Sequence, residues 1–117
     1  MHRKSILYIE DNKDTCELFS VVLSEYEFVY AHSFREGSAL IESHKFDLYI
    51  LDNWLPDGSG IELCRKIRFE NANIPILIVS GVGYKKDIRE RLSAGADRYL
   101  TKPCDPDELL QVVKELI

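Results

Sequence analysis

Leu48-Tyr49-Ile50-Leu51-Asp52-Asn53-Trp54-Leu55-Pro56-Asp57-Gly58-Ser59-Gly60 joins an apolar run of strand length to a stretch rich in turn formers. Four consecutive apolar residues bounded by turn residues are too few for a helix and read as a strand buried on both faces. Asp52 then emerges at the C-terminal end of that strand, where open α/β sheets place their chemistry. The same ending recurs elsewhere in the chain. Ile6-Leu7-Tyr8-Ile9 runs into Glu10-Asp11, and Asp97-Arg98-Tyr99-Leu100-Thr101 is closed by Lys102. Three strand ends thereby supply three acids and one lysine.

Working outward, strand-length apolar runs occur over residues 6–9, 28–31, 48–51, 74–79 and 99–100, a count of five. Between them the spacing turns helical, as in Leu18/Val22, Ile61/Cys64/Ile67, Ile88/Leu92 and the final Leu109/Val112/Val113/Leu116 stripe. Three helix starts are marked locally. Ser33…Glu36, Ser59…Glu62 and Asp105…Glu108 each place a capping acceptor three residues before a glutamate, and Pro106 falls at the favoured first helical position. Regular alternation of strand and helix builds right-handed parallel β-α-β units. The expected fold is therefore α/β: a doubly wound (βα)5 domain over residues 1–117, with helices on both faces of a five-stranded parallel sheet in the flavodoxin-like order 2-1-3-4-5. No linker, repeat or low-complexity stretch interrupts it. The chain ends at Ile117 inside the last apolar stripe, as a complete small protein or a domain cut at its boundary.

Composition narrows the function. At 117 residues and 45% hydrophobic content the chain can bury one core. Its charge of -5 comes from 20 acidic and 15 basic residues that are interspersed without a basic block, which argues against direct nucleic-acid binding. No apolar stretch approaches the roughly 20 residues that span a bilayer, and Met1-His2-Arg3-Lys4 leads straight into a strand, so a cytoplasmic protein with no membrane contact is expected. Cys16, Cys64 and Cys104 lack C-x-x-C spacing and read as free thiols, and His2, His32 and His44 form no ligand pair.

In the expected strand order Glu10, Asp11 and Asp52 converge at one edge of the sheet. Carboxylates a few ångströms apart raise one another's pKa unless a cation compensates, and an all-oxygen cluster suits a hard divalent ion such as Mg2+. Mg2+ keeps several waters, so one or two carboxylates, a backbone carbonyl and a phosphoryl oxygen complete its shell. Lys102 offers a point charge for phosphoryl oxygens, Ser80 ends the fourth strand with a hydroxyl, and Asp52 is an oxygen nucleophile. Phosphoryl transfer needs little beyond such positioning and charge stabilisation.

Taken together, Glu10-Asp11, Asp52 with Leu55-Pro56-Asp57-Gly58-x-Gly60, Ser80, Gly95-Ala96-Asp97 and Lys102-Pro103 make the chain resemble the receiver domain of two-component response regulators over essentially its whole length. The resemblance implies that Asp52 accepts a phosphoryl group from a phosphohistidine on a sensor histidine kinase or histidine phosphotransfer protein. It implies that Asp11 and Asp52 hold Mg2+ with the main-chain carbonyl of Trp54, that Glu10 acts through a metal-bound water, and that Lys102 and Ser80 contact the phosphoryl oxygens. It further implies a switch in which the Ser80 hydroxyl moves toward the phosphate and Tyr99 turns inward. That switch would remodel the face of the fourth helix, fifth strand and fifth helix for an output domain, an effector protein or a second copy of the chain. Lys102-Pro103 resembles the family's cis peptide. Such a domain is a phosphoacceptor that assists its own phosphorylation and dephosphorylation, not a turnover enzyme.

The chain departs from the pattern at Gly81, where the family carries alanine, and Gly83 follows two residues later. The loop after the fourth strand is expected to move freely before phosphorylation, and Trp54 and Val82 are expected to shield the phosphoryl group from water. Three rival readings remain. A haloacid-dehalogenase-like phosphatase would need an acid where Trp54 stands, and a flavodoxin-type phosphate loop is replaced by Glu10-Asp11-Asn12-Lys13-Asp14, whose acids repel an anion. A receiver-like interaction domain that never takes phosphate is opposed by the complete set of acids, serine and lysine.

Overall fold

A computed structural model describes residues 3–81, 89, 92 and 94–117. The described elements, in chain order, are β1 (Ser5–Ile9), α1 (Lys13–Val22), β2 (Glu27–Ala31), α2 (Phe34–Ser43), β3 (Leu48–Leu51), β4 (Trp54–Leu55), β5 (Gly58–Ser59), α3 (Gly60–Glu70), β6 (Ile76–Ser80), β7 (Arg98–Thr101) and α4 (Pro106–Leu116). Five strands pair in parallel in the order β2-β1-β3-β6-β7, which is the flavodoxin-like order expected above. Arg89 and Leu92 are helical. The rest of the helix expected around Ile88 lies outside the described residues, as do Val82 and Gly83 and the expectations attached to them.

Strand parity divides the core in two. Leu7, Ile9, Tyr49, Leu51, Ile76 and Ile78 point to one side and pack with Ile41 of α2 and Leu63, Cys64 and Ile67 of α3. Their neighbours Ile6, Tyr8, Leu48, Ile50, Leu77 and Val79 point to the other and pack with Cys16 and Phe19 of α1 and Leu109, Val112 and Val113 of α4. A sheet covered on both faces needs continuous apolar strands, and β3 and β6 are buried at every position. The Leu18/Val22 stripe is displaced by one position. Cys16 and Phe19 are the residues α1 buries, while Leu18 is half exposed.

The helix starts show how side chains replace missing backbone partners. Ser33 and Ser59 accept from the main-chain N–H of Glu36 and Glu62, three residues on. Asp105 instead accepts from Asp107 N–H at 2.8 Å, a closer reach for its short carboxylate when Pro106 opens the helix. Asn12 caps α1 by accepting from Thr15 N–H at 3.0 Å, a signal obscured in the sequence because no glutamate follows it at the third position.

The stretch after Asp52 contains an antiparallel hairpin of two residues a side, β4 with β5, in place of an open turn. Asp57 at its tip accepts from Phe34 N–H at 2.8 Å and Arg35 N–H at 3.1 Å. With Ser33 on Glu36, the first three amides of α2 are all satisfied. On the opposite edge, Arg68 of α3 donates to the carbonyls of Gly95 and Ile74 and to the Asp97 carboxylate, which also accepts from Ile76 N–H. Gly95 has φ +114°, a left-handed backbone that side-chain-bearing residues rarely adopt, and this turn presents its carbonyl to Arg68.

Candidate functional site

Sheet register brings the site together before any side chain is considered. Ile9 pairs with Leu51, so Glu10 and Asp52, each one residue beyond its strand, come level on adjacent central strands. Main-chain bonds hold both there: Asp52 N–H donates to Ile9 O at 3.0 Å and Glu10 N–H to Ala31 O at 2.9 Å. Ser80 pairs with Thr101, and Lys102 N–H donates to Ser80 O at 2.9 Å, which sets the lysine beside the acids.

Glu10, Asp11 and Asp52 each offer a carboxylate oxygen, and these oxygens lie within 4.8 Å of one another. Glu10 and Asp52 are buried, at 1% and 5% exposure, while Asp11 is exposed. The Lys102 ammonium donates to Glu10 Oε1 and stands 3.6 Å from Asp52 Oδ2. Trp54 N–H approaches Asp52 Oδ1 at 3.4 Å, although the Trp54 ring itself is exposed. The Lys102-Pro103 peptide is cis.

Burial and charge crowding together govern the protonation of this cluster. Burial, then the hydrogen bond and the negative charge of Glu10, push the Asp52 carboxyl up to about 7. Burial also works to raise Glu10, yet hydrogen bonds from Asp52 and Lys102 outweigh it and hold that carboxyl below its ordinary range. Asp11 is raised, by burial first and by Glu10 second. Three carboxylates facing one ammonium carry surplus negative charge, and their donors are all oxygen. Glu10, Asp11 and Asp52 therefore fit a hard divalent cation such as Mg2+, whose charge would relieve their mutual repulsion.

Ser80 is fully buried, and its hydroxyl has no hydrogen-bond partner among the described residues. A buried unpaired hydroxyl costs about 1–3 kcal/mol, so an acceptor arriving beside it would be held. Parity sets Ser80 on the side of Ile78, away from the face that Glu10 shares with Tyr8. Tyr99, level with Ile78, is half-buried there, and its hydroxyl donates to Ser80 O at 3.4 Å. Among the described residues nothing lies within 4 Å of where a Cβ on Gly81 would sit.

Several residues around Glu10 escaped the reading of the sequence. Tyr8, buried in β1, donates its hydroxyl to Glu10 Oε1 at 3.1 Å. The Glu10 carbonyl accepts from Cys16 Sγ at 3.4 Å and lies 3.1 Å from His32 Nδ1. Because a carbonyl only accepts, that imidazole nitrogen carries the hydrogen. Asn53, also buried, accepts from Ile61 N–H at 3.4 Å. Tyr8 was open to recognition, since residues two apart on a strand share a face and a tyrosine two places before a strand-end acid can reach it.

Comparison with known proteins bears on this arrangement. The family model of the response regulator receiver domain matches residues 6–114. The chain is 35% identical over 118 residues to the phosphate regulon transcriptional regulatory protein PhoB of Pseudomonas aeruginosa, a match covering 97% of this chain and 52% of that protein. The chain spans about half the length of the curated relatives it matches. Among solved structures, a CheY-like response regulator receiver domain protein from Methanospirillum hungatei aligns with a TM-score of 0.91 at 33% identity, over 97% of this chain and 92% of that one. A two-component response regulator from Clostridium difficile aligns with a TM-score of 0.92, also at 33% identity, over 97% and 95%. With a match that begins in β1 and ends in α4, on the same sheet that levels Glu10 with Asp52, the chain belongs to the response regulator receiver domain family.

Proposed function

We propose that residues 1–117 act as one receiver unit in which Asp52 is the phosphoacceptor of a phosphorelay. The observation that carries this reading is the convergence of buried Asp52 with Glu10, Asp11 and Lys102 at the ends of neighbouring strands. An Asp52 carboxylate oxygen attacks the phosphorus of a phosphohistidine on a histidine kinase or phosphotransfer protein. The P–N bond breaks, its electron pair stays with the imidazole nitrogen, and an acyl phosphate forms on Asp52. Lys102 then turns from Glu10 toward the phosphoryl oxygens, and the unpaired Ser80 hydroxyl supplies a donor from the other side of the sheet. Asp11, Asp52 and the Trp54 carbonyl would hold Mg2+, with Glu10 behind them. When bound, the ion supplies positive charge against the phosphoryl oxygens.

Movement of the Ser80 hydroxyl would free Tyr99 to turn inward, changing the face made by the helix around Leu92, β7 and α4. That face would meet an output domain, an effector protein or a second copy of the chain. Added charge biasing a two-state packing element is a general way for phosphorylation to be read. The relay would run in the cytoplasm; no helix among the described residues is long and apolar enough to cross a membrane. Trp54, where a phosphatase of related chemistry needs an acid, makes the site a store of phosphate and not a turnover catalyst.

Incubation with Mg2+ and acetyl phosphate, followed by intact mass analysis, tests the proposal. Wild type is expected to gain one phosphoryl group, Asp52→Asn none, and chelation with EDTA is expected to prevent the gain. A wild type that stays unmodified with acetyl phosphate and with candidate kinases would leave a pure interaction domain as the better reading.

A further inference from the structure

Glu10 is the most constrained residue of the site, and the constraint is built from parts outside the acid, serine and lysine set. Its main chain donates to Ala31 O and its carbonyl accepts from Cys16 Sγ. Its carboxylate takes Tyr8 Oη and Lys102 Nζ on Oε1 and Asn12 N–H, at 3.4 Å, on Oε2. Of these donors to the carboxylate, only Lys102 carries charge. A lysine committed to a buried carboxylate is not available to a phosphate, and withdrawing it leaves an anion at 1% exposure with fewer partners.

Tyr8 resolves that conflict. Its ring is fully buried and stacks on Phe19, with centroids 4.6 Å apart and planes 13° from parallel, and it meets Phe28 at 6.2 Å. The hydroxyl therefore cannot swing away. Facing a carboxylate oxygen, which only accepts, the phenol serves as the donor.

We infer that Tyr8 is a positioning residue for phosphoryl transfer: its fixed hydroxyl keeps the buried Glu10 carboxylate hydrogen-bonded while Lys102 leaves Glu10 for the phosphoryl oxygens on Asp52. The inference rests on the phosphoacceptor reading of Asp52. Without the hydroxyl, each departure of Lys102 would expose Glu10 to the penalty of a buried charge with one remaining donor. The penalty on the transfer step comes on top of what the lost hydrogen bond costs the resting fold.

The test uses Tyr8→Phe, which keeps the ring and its stacking, beside Leu23→Ala, which loosens the same apolar cluster at the far end of α1 and leaves the Tyr8–Phe19 stack in place. The initial rate of phosphorylation by acetyl phosphate is followed by intact mass across a Mg2+ titration, well below the melting temperature of each variant. Tyr8→Phe is expected to lose about tenfold in the rate at saturating Mg2+, the scale of a hydrogen bond to a charged group, with little change in the Mg2+ concentration at half-maximal rate. Leu23→Ala is expected to melt earlier and phosphorylate at the wild-type rate. Tyr8→Phe at the wild-type rate, or both variants slowed in step with their loss of stability, would overturn the inference while leaving Asp52 as phosphoacceptor. A wild type that takes no phosphoryl group overturns both.

Discussion

A Cβ built on Gly60 would lie 2.7 Å from the Asp52 carbonyl oxygen and 3.1 Å from Asn53 Cα, and both are main-chain atoms with no freedom to swing aside. Gly60→Ala must therefore push the proposed phosphoacceptor's own backbone. Crowding of this kind costs about 1–3 kcal/mol, and denaturant unfolding of Gly60→Ala should show a loss of that size together with slower phosphorylation by acetyl phosphate. Unchanged stability and rate would mean that the α3 start yields elsewhere. In the sequence Gly60 is one of several turn formers, and its real reason, a backbone approach across the site, belongs to tertiary structure. The acids and Lys102 were readable because strand ends are visible as breaks in apolar runs. Tyr8 shares the face of Glu10 by strand parity yet was passed over, because an aromatic residue in a strand already has a sufficient explanation in packing.

Among the elements, α2 has the most complete start, and its parts come from distant places. Ser33 is local, but Asp57 reaches across from the hairpin tip to Phe34 and Arg35. Those two amides hold the Asp57 carboxyl below its usual pKa, with smaller help from Arg35. A carboxyl depressed by folding stabilises the native state above the ordinary aspartate pKa of about 4, and that stability is lost as pH falls through the lower, folded value. Asp57→Ala should therefore melt earlier than wild type at pH 7, and the gap should close in strong acid, as thermal scans across pH would show. A gap that stays constant with pH would assign the effect to the hairpin turn itself. The caps at Ser33 and Ser59 were legible from spacing alone, whereas a cap supplied by a residue 23 positions away was not. The β4–β5 hairpin was equally hidden, because two residues a side are too short to display alternation.

For the molecule as a whole, the parallel order followed from alternating strand and helix patterns, and the positions of the acids only made sense within it. What joins its edges was not readable. Arg68 spans from α3 to the entries of β6 and β7, with its side chain largely buried against the Gly95 turn. Nothing in the spacing of Arg68, Gly95 and Asp97 singles them out as one unit. Arg68→Ala should destabilise the domain by about 2 kcal/mol, the scale of hydrogen bonds made by a charged donor, while phosphorylation proceeds as in wild type at temperatures below melting. A coincident loss of phosphorylation in the folded variant would instead tie this edge to the site.

The seat of Asp52 on β3 has a dynamic consequence. Its amide is bonded to β1, and β3 lies between β1 and β6, buried at every position. In amide hydrogen exchange, protection is greatest where opening requires the whole domain to unfold, and central strands belong to that class. The proposed phosphoacceptor is thus tethered to a strand of that class, while Tyr99 sits on an edge strand. Under the proposed function, fluctuations that loosen the rim would alter how the charge is read without disturbing the residue that bears it.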